Sequence, residues 1–308
     1  MAITVAQLQT FIAVSREGSV KGAAARLVVT QPSVSGALSS LERELGVKLF
    51  ERRGRGVAPT EAGLAFGPYA ERTLALMSEG RRAALDAADP GSPRLEVAAV
   101  NTAGEYIVPP VLRAFRESFP RVEVGLAVSN RAGVFRRLRS READLGVGGS
   151  PPEDGEFEGV PFLENNHVMV AAPDHPLALR DGIGNRELGG ETWLLREPGS
   201  GTRLFVDRLL AERGMVPQTM TLGSNGAVKQ AVRGGLGISL QSRWAVALEL
   251  ALGLLVELDL SEPLPERRWY ALRPVEAPRR AAVEEFLGFL CGEEARRAVA
   301  EAQKLPGI

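Results

Sequence analysis

From Arg94 onward, short apolar runs and helical stretches take turns, and this alternation restricts the fold more than any other feature. The runs 95–100, 122–128, 144–147, 167–172, 192–195, 219–222, 237–240 and 269–272 read as strands. Between and after them, 108–119, 134–141, 203–213, 225–233 and 277–291 read as helices. Strands separated by helices pair mostly in parallel, with helices on both faces. Such sheets take ligands outside the carboxyl ends of their strands, beside helix N-termini.

The first 60 residues follow a helical period instead. Val5, Leu8 and Ile12, with Phe11 beside them, make one apolar face. Thr4 can cap that helix and Gly18 ends it; Ser19 can cap a second, with Val20, Ala23, Ala24 and Leu27 inward. After a turn at 28–30, a third helix carries Val34, Leu38, Leu41 and Leu45 on one side. Pro32 fits only in its first turn, and Gly46 stops it. The other side holds Gln31, Ser33, Ser35 and Ser39, where a helix built for solubility would carry Glu and Lys. Short neutral hydrogen-bonding groups suit base edges in a DNA major groove; a plain solvated face is the alternative. Arg52, Arg53 and Arg55, interleaved with Gly54 and Gly56, suggest a tight basic hairpin that touches phosphates or the minor groove, or a solvated charged turn. With eight basic and four acidic residues, 1–60 carries +4 against −5 for the rest of a chain of net charge −1. That asymmetry fits a polyanion partner for the N-terminal module alone.

Residues 60 to about 89 read as a long helix opened by Thr60 and Glu61, with Phe66, Ala70, Leu74, Met77 and Ala84 near one stripe. Pro68 and Gly80 weaken a long coiled coil, so packing on its own body competes with pairing to a second copy. A hinge is expected at Asp89-Pro90-Gly91-Ser92-Pro93.

The stretch 23–35, Ala-Ala-Ala-Arg-Leu-Val-Val-Thr-Gln-Pro-Ser-Val-Ser, continues through 41–52 to Pro59-Thr60-Glu61-Ala62-Gly63. It closely resembles the winged helix-turn-helix of LysR-type transcriptional regulators, and the resemblance runs over nearly the whole chain. One departure is Gly36, where many members carry a basic or bulky residue. The resemblance implies an all-α winged helix-turn-helix at 1–60 and a linker and dimerisation helix at 61–89. It further implies an α/β, two-lobed, periplasmic-binding-protein-like effector domain at 92–308, with lobe I at about 92–164 and 269–300 and lobe II at about 165–268. Implied DNA contacts are Thr30, Gln31, Pro32, Ser33, Ser35, Ser39, Arg52, Arg53 and Arg55. The linker stripe Phe66, Ala70, Leu74 and Met77 would lie between two chains of a homodimer or homotetramer bound to an interrupted inverted repeat.

In the body, candidate effector-binding residues fall in loops that leave strands: Asn101, Thr102 and Ala103; Ser129 and Asn130; Arg196, Ser200, Gly201 and Thr202; and Asn225. Glycines and hydroxyls there free donors for an anion, although any one loop alone is more simply a helix cap. Arg196 and Arg203 either add charge or pair with Glu197. The segments 101–109 and 196–203 resemble the branch that includes regulators of carbon dioxide fixation and sulfur assimilation. The implied effector is a phosphorylated metabolite or a small inorganic oxyanion.

Other classes find little support. Two histidines, His167 and His175, and one cysteine, Cys291, leave little for a metal site, and no nucleophile elbow or dinucleotide fingerprint suggests an enzyme. His167 is expected to cap or pack. No cofactor is expected. No apolar run approaches the ~20 residues of a membrane span, and no secretory signal opens the chain, so a cytoplasmic protein is expected. A solute-binding protein remains the alternative, disfavoured by the basic module.

Overall fold

The computed structural model describes residues 3–54, 56–88 and 93–304, without the side chains of 82 and 85–87. Arg55 and residues 89–92 of the expected hinge lie outside the described residues. The chain divides in the main into two compact units, one ending at Ala88 and one following it.

In the first unit, α1 (Val5–Glu17), α2 (Val20–Leu27) and α3 (Gln31–Leu45) are followed by a hairpin of β1 (Phe50–Arg53) and β2 (Gly56–Pro59), then by α4 (Glu61–Ala88). Local chemistry sets the boundaries. Thr4 and Gln7 form a reciprocal capping box, the Thr4 N–H donating to Gln7 Oε1 at 2.7 Å. Ser19 and Thr30 cap α2 and α3, while Gly18 and Gly46 end α1 and α3 in the left-handed conformation. Val28, between α2 and α3, also adopts a left-handed backbone, with φ of 56°, and is 90% exposed. The core gathers Leu8, Phe11, Val14, Val34, Leu38, Leu41 and Leu49. Phe11 meets Phe66 edge-on at 5.1 Å between ring centres. The hairpin is tied to α1 by the Val57 N–H, which donates to the Gly18 carbonyl at 2.9 Å. Gly56 permits that approach, since a Cβ there would lie 2.5 Å from the same oxygen. Glu42 accepts from the N–H groups of Leu49 and Phe50 and from Lys48 Nζ. Burial pushes its carboxyl up, but these three donors outweigh it and hold the pKa below the ordinary range.

The second unit runs β3 (Arg94–Val100), α5 (Asn101–Tyr106), α6 (Val108–Ser118), β4 (Glu123–Ser129), α7 (Arg131–Arg139), β5 (Leu145–Gly148) and β6 (Phe157–Glu164). It crosses into a second lobe at β7 (His167–Ala171), then α8 (Asn185–Gly189), β8 (Thr192–Arg196), α9 (Gly201–Glu212), β9 (Gln218–Leu222), α10 (Asn225–Arg233), β10 (Ser239–Ser242), α11 (Arg243–Ala251) and β11 (Val256–Glu257). It returns through β12 (Arg268–Pro274), α12 (Ala281–Cys291) and α13 (Glu293–Ala302). The first lobe's sheet has the order β4-β3-β5-β12-β6. Its core centres on Leu95, Val97, Phe115, Leu145, Val147 and Phe286. The second lobe packs Met169, Trp193, Leu195, Ile238 and Leu240.

The sheets are less parallel than alternation alone suggests. β3 pairs in parallel with β4 and β5, and β8 with β9, but β12 runs antiparallel to β5 and β6, and β7 antiparallel to β10 and β11. The reason is connectivity: β12 comes back from the second lobe and enters the first sheet from the far end. β6 has no strand counterpart in the sequence reading. It is an edge strand whose Gly159 and Pro161 break the apolar pattern, and edges tolerate proline.

Candidate functional site

The candidate DNA-reading face is built by α3. Its inner residues Val34, Leu38 and Leu41 are buried, whereas Gln31, Pro32, Ser33, Ser35 and Ser39 are exposed. The Thr30 hydroxyl accepts the Ser33 N–H at 3.3 Å and shares a 2.8 Å bond with the Ser33 hydroxyl, so these two are engaged in capping. Gln31, Ser35 and Ser39 have no partner among the described residues. Arg52 and Arg53 stand exposed on β1, ahead of the turn at Gly54; Arg55 lies outside the described residues.

The linker stripe is partly used within the chain itself. Phe66, Ala70 and Leu74 pack onto the first unit's own core, against Phe11 and its neighbours. Ala70 is buried there and Phe66 and Leu74 are half-buried, so much of the stripe is taken up within the chain; only Met77 of the expected four is exposed. The periodicity showed which residues seek burial, and the nearby helix-turn-helix covers them first. Among the described residues, the large apolar side chains that α4 leaves exposed are Leu64, Tyr69, Leu76 and Met77.

In the second unit, the candidate loops converge between the lobes. A cavity of about 30 Å³ is lined by Asn101, Thr102, Asn130, Arg196, Ser200, Gly201 and Thr202. It is also lined by Arg131, Asn165, His167, Ser242, Arg267 and Trp269, which the sequence reading did not place there. Water-sized occupants need roughly 10–15 Å³ each, so the cleft as it stands holds about two of them. Ala103 is buried in the first lobe's core and does not line it. Ser129 and Asn225 stand one layer back. Asn225 Nδ2 donates to Thr102 Oγ1 at 3.0 Å, across the lobes. In the amide orientation that satisfies its neighbours, Asn101 donates to the Ser129 carbonyl and accepts from Arg196.

The charges divide unexpectedly. Arg196 is buried, but Glu197 takes its Nε at 2.8 Å and its Nη2 at 3.0 Å, and Asn225 Oδ1 takes Nη1. Arg203 pairs with Asp207 at 2.8 Å. Neither brings an uncompensated charge. Arg131 and Arg267 do, because neither has a carboxylate within salt-bridge distance among the described residues. Their guanidinium ends converge on Gly149, where a Cβ would meet Arg267 at 3.1 Å and Arg131 at 3.7 Å. Arg131 lies 4.6 Å over the Phe135 ring and Arg267 4.7 Å over Phe205. Burial, then the nearby Arg131 and Arg208, pull the Arg267 pKa down to about 10, so it stays charged near neutrality.

His167 serves this arrangement as a neutral ring. Burial and the Arg267 charge push it down to about 3. With Nδ1–H donating to the Asn165 carbonyl at 2.9 Å, Nε2 is left to accept from Arg267 at 3.3 Å. The Trp269 indole N–H is buried without an acceptor. At α9, Ser200 makes no side-chain cap bond, so the first-turn N–H groups lack a side-chain acceptor. Sequence offered one clue to these additions: Arg131 follows Asn130 directly at a strand-to-helix turn. Arg267 and Trp269 had none. Among the described residues no cluster of three metal-ligating side chains occurs, and no helix is long and apolar enough to cross a membrane.

The pattern described as a bacterial regulatory helix-turn-helix protein of the lysR family matches residues 5–64, and the LysR substrate binding domain matches 88–293. The chain belongs to the LysR family of transcriptional regulators. This LysR-type chain is 38% identical over 301 residues to the RuBisCO operon transcriptional regulator of Allochromatium vinosum, spanning 96% of this chain and 98% of that one. It is 39% identical over 270 residues to the transcriptional regulator CbbR of Rhodospirillum rubrum, spanning 86% and 88%. The regulatory domain of CcmR from Synechocystis, solved in complex with 2-PG, superposes with a TM-score of 0.61 at 37% identity. That match covers 64% of this chain and 95% of the other.

Proposed function

We propose that this LysR-type regulator controls carbon-fixation genes in response to a small organic phosphate bound between the lobes of its body. The observation that carries this reading is the pair Arg131 and Arg267, two guanidinium groups facing one cleft without a carboxylate. Trp269 Nε1 and the first turn of α9 add uncharged donors, so an anion gains both charge and hydrogen bonds there. The names of the relatives favour the promoter class, and the 2-PG complex of the Synechocystis regulator favours a phosphate that also carries a carboxylate.

The DNA-reading half follows from α3. Two copies would set it in successive major grooves of an interrupted inverted repeat. Gln31, Ser33, Ser35 and Ser39 would face bases, and Thr30, Pro32, Arg52, Arg53 and Arg55 would hold the backbone. The exposed α4 side chains Leu64, Tyr69, Leu76 and Met77 are the face offered to a second copy, with a tetramer built through the bodies. A ligand that favours one lobe arrangement would shift the population of DNA-binding geometries. The reading places the protein in the cytoplasm, as a regulator and not an enzyme.

Thermal unfolding of the full chain tests the effector. 2-Phosphoglycolate, sugar bisphosphates, phosphate and sulfate are compared with neutral sugars and aromatic acids. A one-site ligand at 100 times its Kd stabilises by about 2.7 kcal/mol, and Arg267→Met should remove that gain. Stabilisation by an aromatic acid alone, or an anion effect that survives Arg267→Met, would refute the reading.

A further inference from the structure

With Val34, Leu38, Leu41 and Leu45 turned inward and about 100° per residue, Gly36 shares the outermost direction of α3 with Arg43, two turns on. Around it lie Pro32, Ser33, Ser39, Ser40 and Arg43, a face without a carboxylate and with its one cation at the far end. A glycine inside a helix weakens it relative to alanine. At two other helical glycines of the first unit that weakness has an internal reason. A Cβ on Gly22 would lie 2.9 Å from Ser19 Oγ, and one on Gly63 would collide with the Leu49 carbonyl. A Cβ on Gly36 meets nothing within 4 Å. Bareness alone is not decisive, since Gly67 and Gly80 of α4 and Gly288 of α12 are equally bare. Position is: Gly36 is the centre of a face of small side chains, on the helix that reads DNA in this family.

We propose that Gly36 is a specificity-determining position. Its missing side chain lets the α3 backbone lie against the floor of the major groove, so the half-site is selected partly by how deeply the helix seats. Any side chain there lifts the helix and moves Gln31 and Ser35 out of register with their bases. The proposal rests on α3 being the DNA-reading element.

The test selects duplexes from a random library with the full wild-type chain, then compares binding of the selected duplex and of a scrambled one. Gly36→Ala is expected to raise the melting temperature of the first unit by a few degrees. It should weaken the selected duplex at least tenfold and the scrambled one less than twofold. Its own selection should return a different base at one position per half-site. Gly288→Ala serves as control, with any gain in stability leaving DNA binding unchanged. Wild-type affinity and wild-type selection by Gly36→Ala would overturn the proposal alone, as would equal losses on both duplexes. Failure of the wild type to enrich any sequence would remove the DNA-reading role of α3 and the proposal with it.

Discussion

The α3 face and the inter-lobe cleft wait for partners in opposite ways. On α3 the groups are neutral, exposed and mostly unbonded inside the chain, so water satisfies them and holding them ready costs little. In the cleft, Arg131 and Arg267 are drawn out of water without a counter-charge, against a histidine kept neutral. A buried unpaired charge destabilises the free protein, and an anion would relieve that penalty on binding. The difference teaches that the α3 face can be changed with little effect on stability, whereas changes at Arg131 or Arg267 in the cleft should move stability as well as any ligand response.

The largest effect should separate the two regions outright. Phe11 is buried between Phe50 and Phe66, so Phe11→Ala should destabilise the first unit by about 3–5 kcal/mol. Calorimetry should show its transition shifted or lost while the body keeps its anion-dependent one; a joint collapse of both would break the comparison.

Next comes the readout on DNA. Gln31→Ala should cost about 1–3 kcal/mol on the cognate site and little on other DNA. Arg53→Ala should weaken all DNA alike and reduce the salt slope by about one. Anisotropy titrations at several salt concentrations distinguish the two.

Acid sharpens the contrast. His167 has a folded pKa of about 3, below its ordinary 6.5, so between those values the unfolded chain binds a proton that the native body does not. Stability from this group is therefore full above pH 6.5 and falls by about 1.4 kcal/mol per pH unit on acidification towards 3. The first unit has no histidine. Its Glu42, with a lowered pKa, contributes stability above the ordinary carboxylate range and loses it only as pH falls through the lowered value. Melts between pH 7 and 4.5 should show the body weakening first, and His167→Gln should delay it.

The smallest effect concerns strain. A β-branched residue in the left-handed region is unfavourable, so Val28→Asn should stabilise the first unit by up to about 1 kcal/mol, read as a modest rise in melting temperature.

Local chemistry carried far in the first unit. Thr4 and Ser19 cap their helices, Gly18 and Gly46 end theirs, and the two sides of α3 face core and solvent as the pattern implies. Each depends on residues a few positions apart, within reach of one helical turn. The stripe on α4 shows where pattern stops: period identifies Phe66, Ala70 and Leu74 as residues to be covered, but not what covers them.

The sequence by itself determined most of the elements, their order and the loops that leave strand ends, though not β6, β11 or the helices α5, α8, α11 and α13, because capping, helical period and turn chemistry act between neighbours in the chain. Only the tertiary structure decided the electrostatics of the cleft. Arg196 looks like the obvious cation and is neutralised by Glu197 beside it, while Arg131 and Arg267, 136 positions apart in sequence, meet at Gly149 and remain uncompensated. A charge's effect depends on what lies within a few ångströms and on how much water is excluded, and both are products of the returning strand β12 and the closing of two lobes.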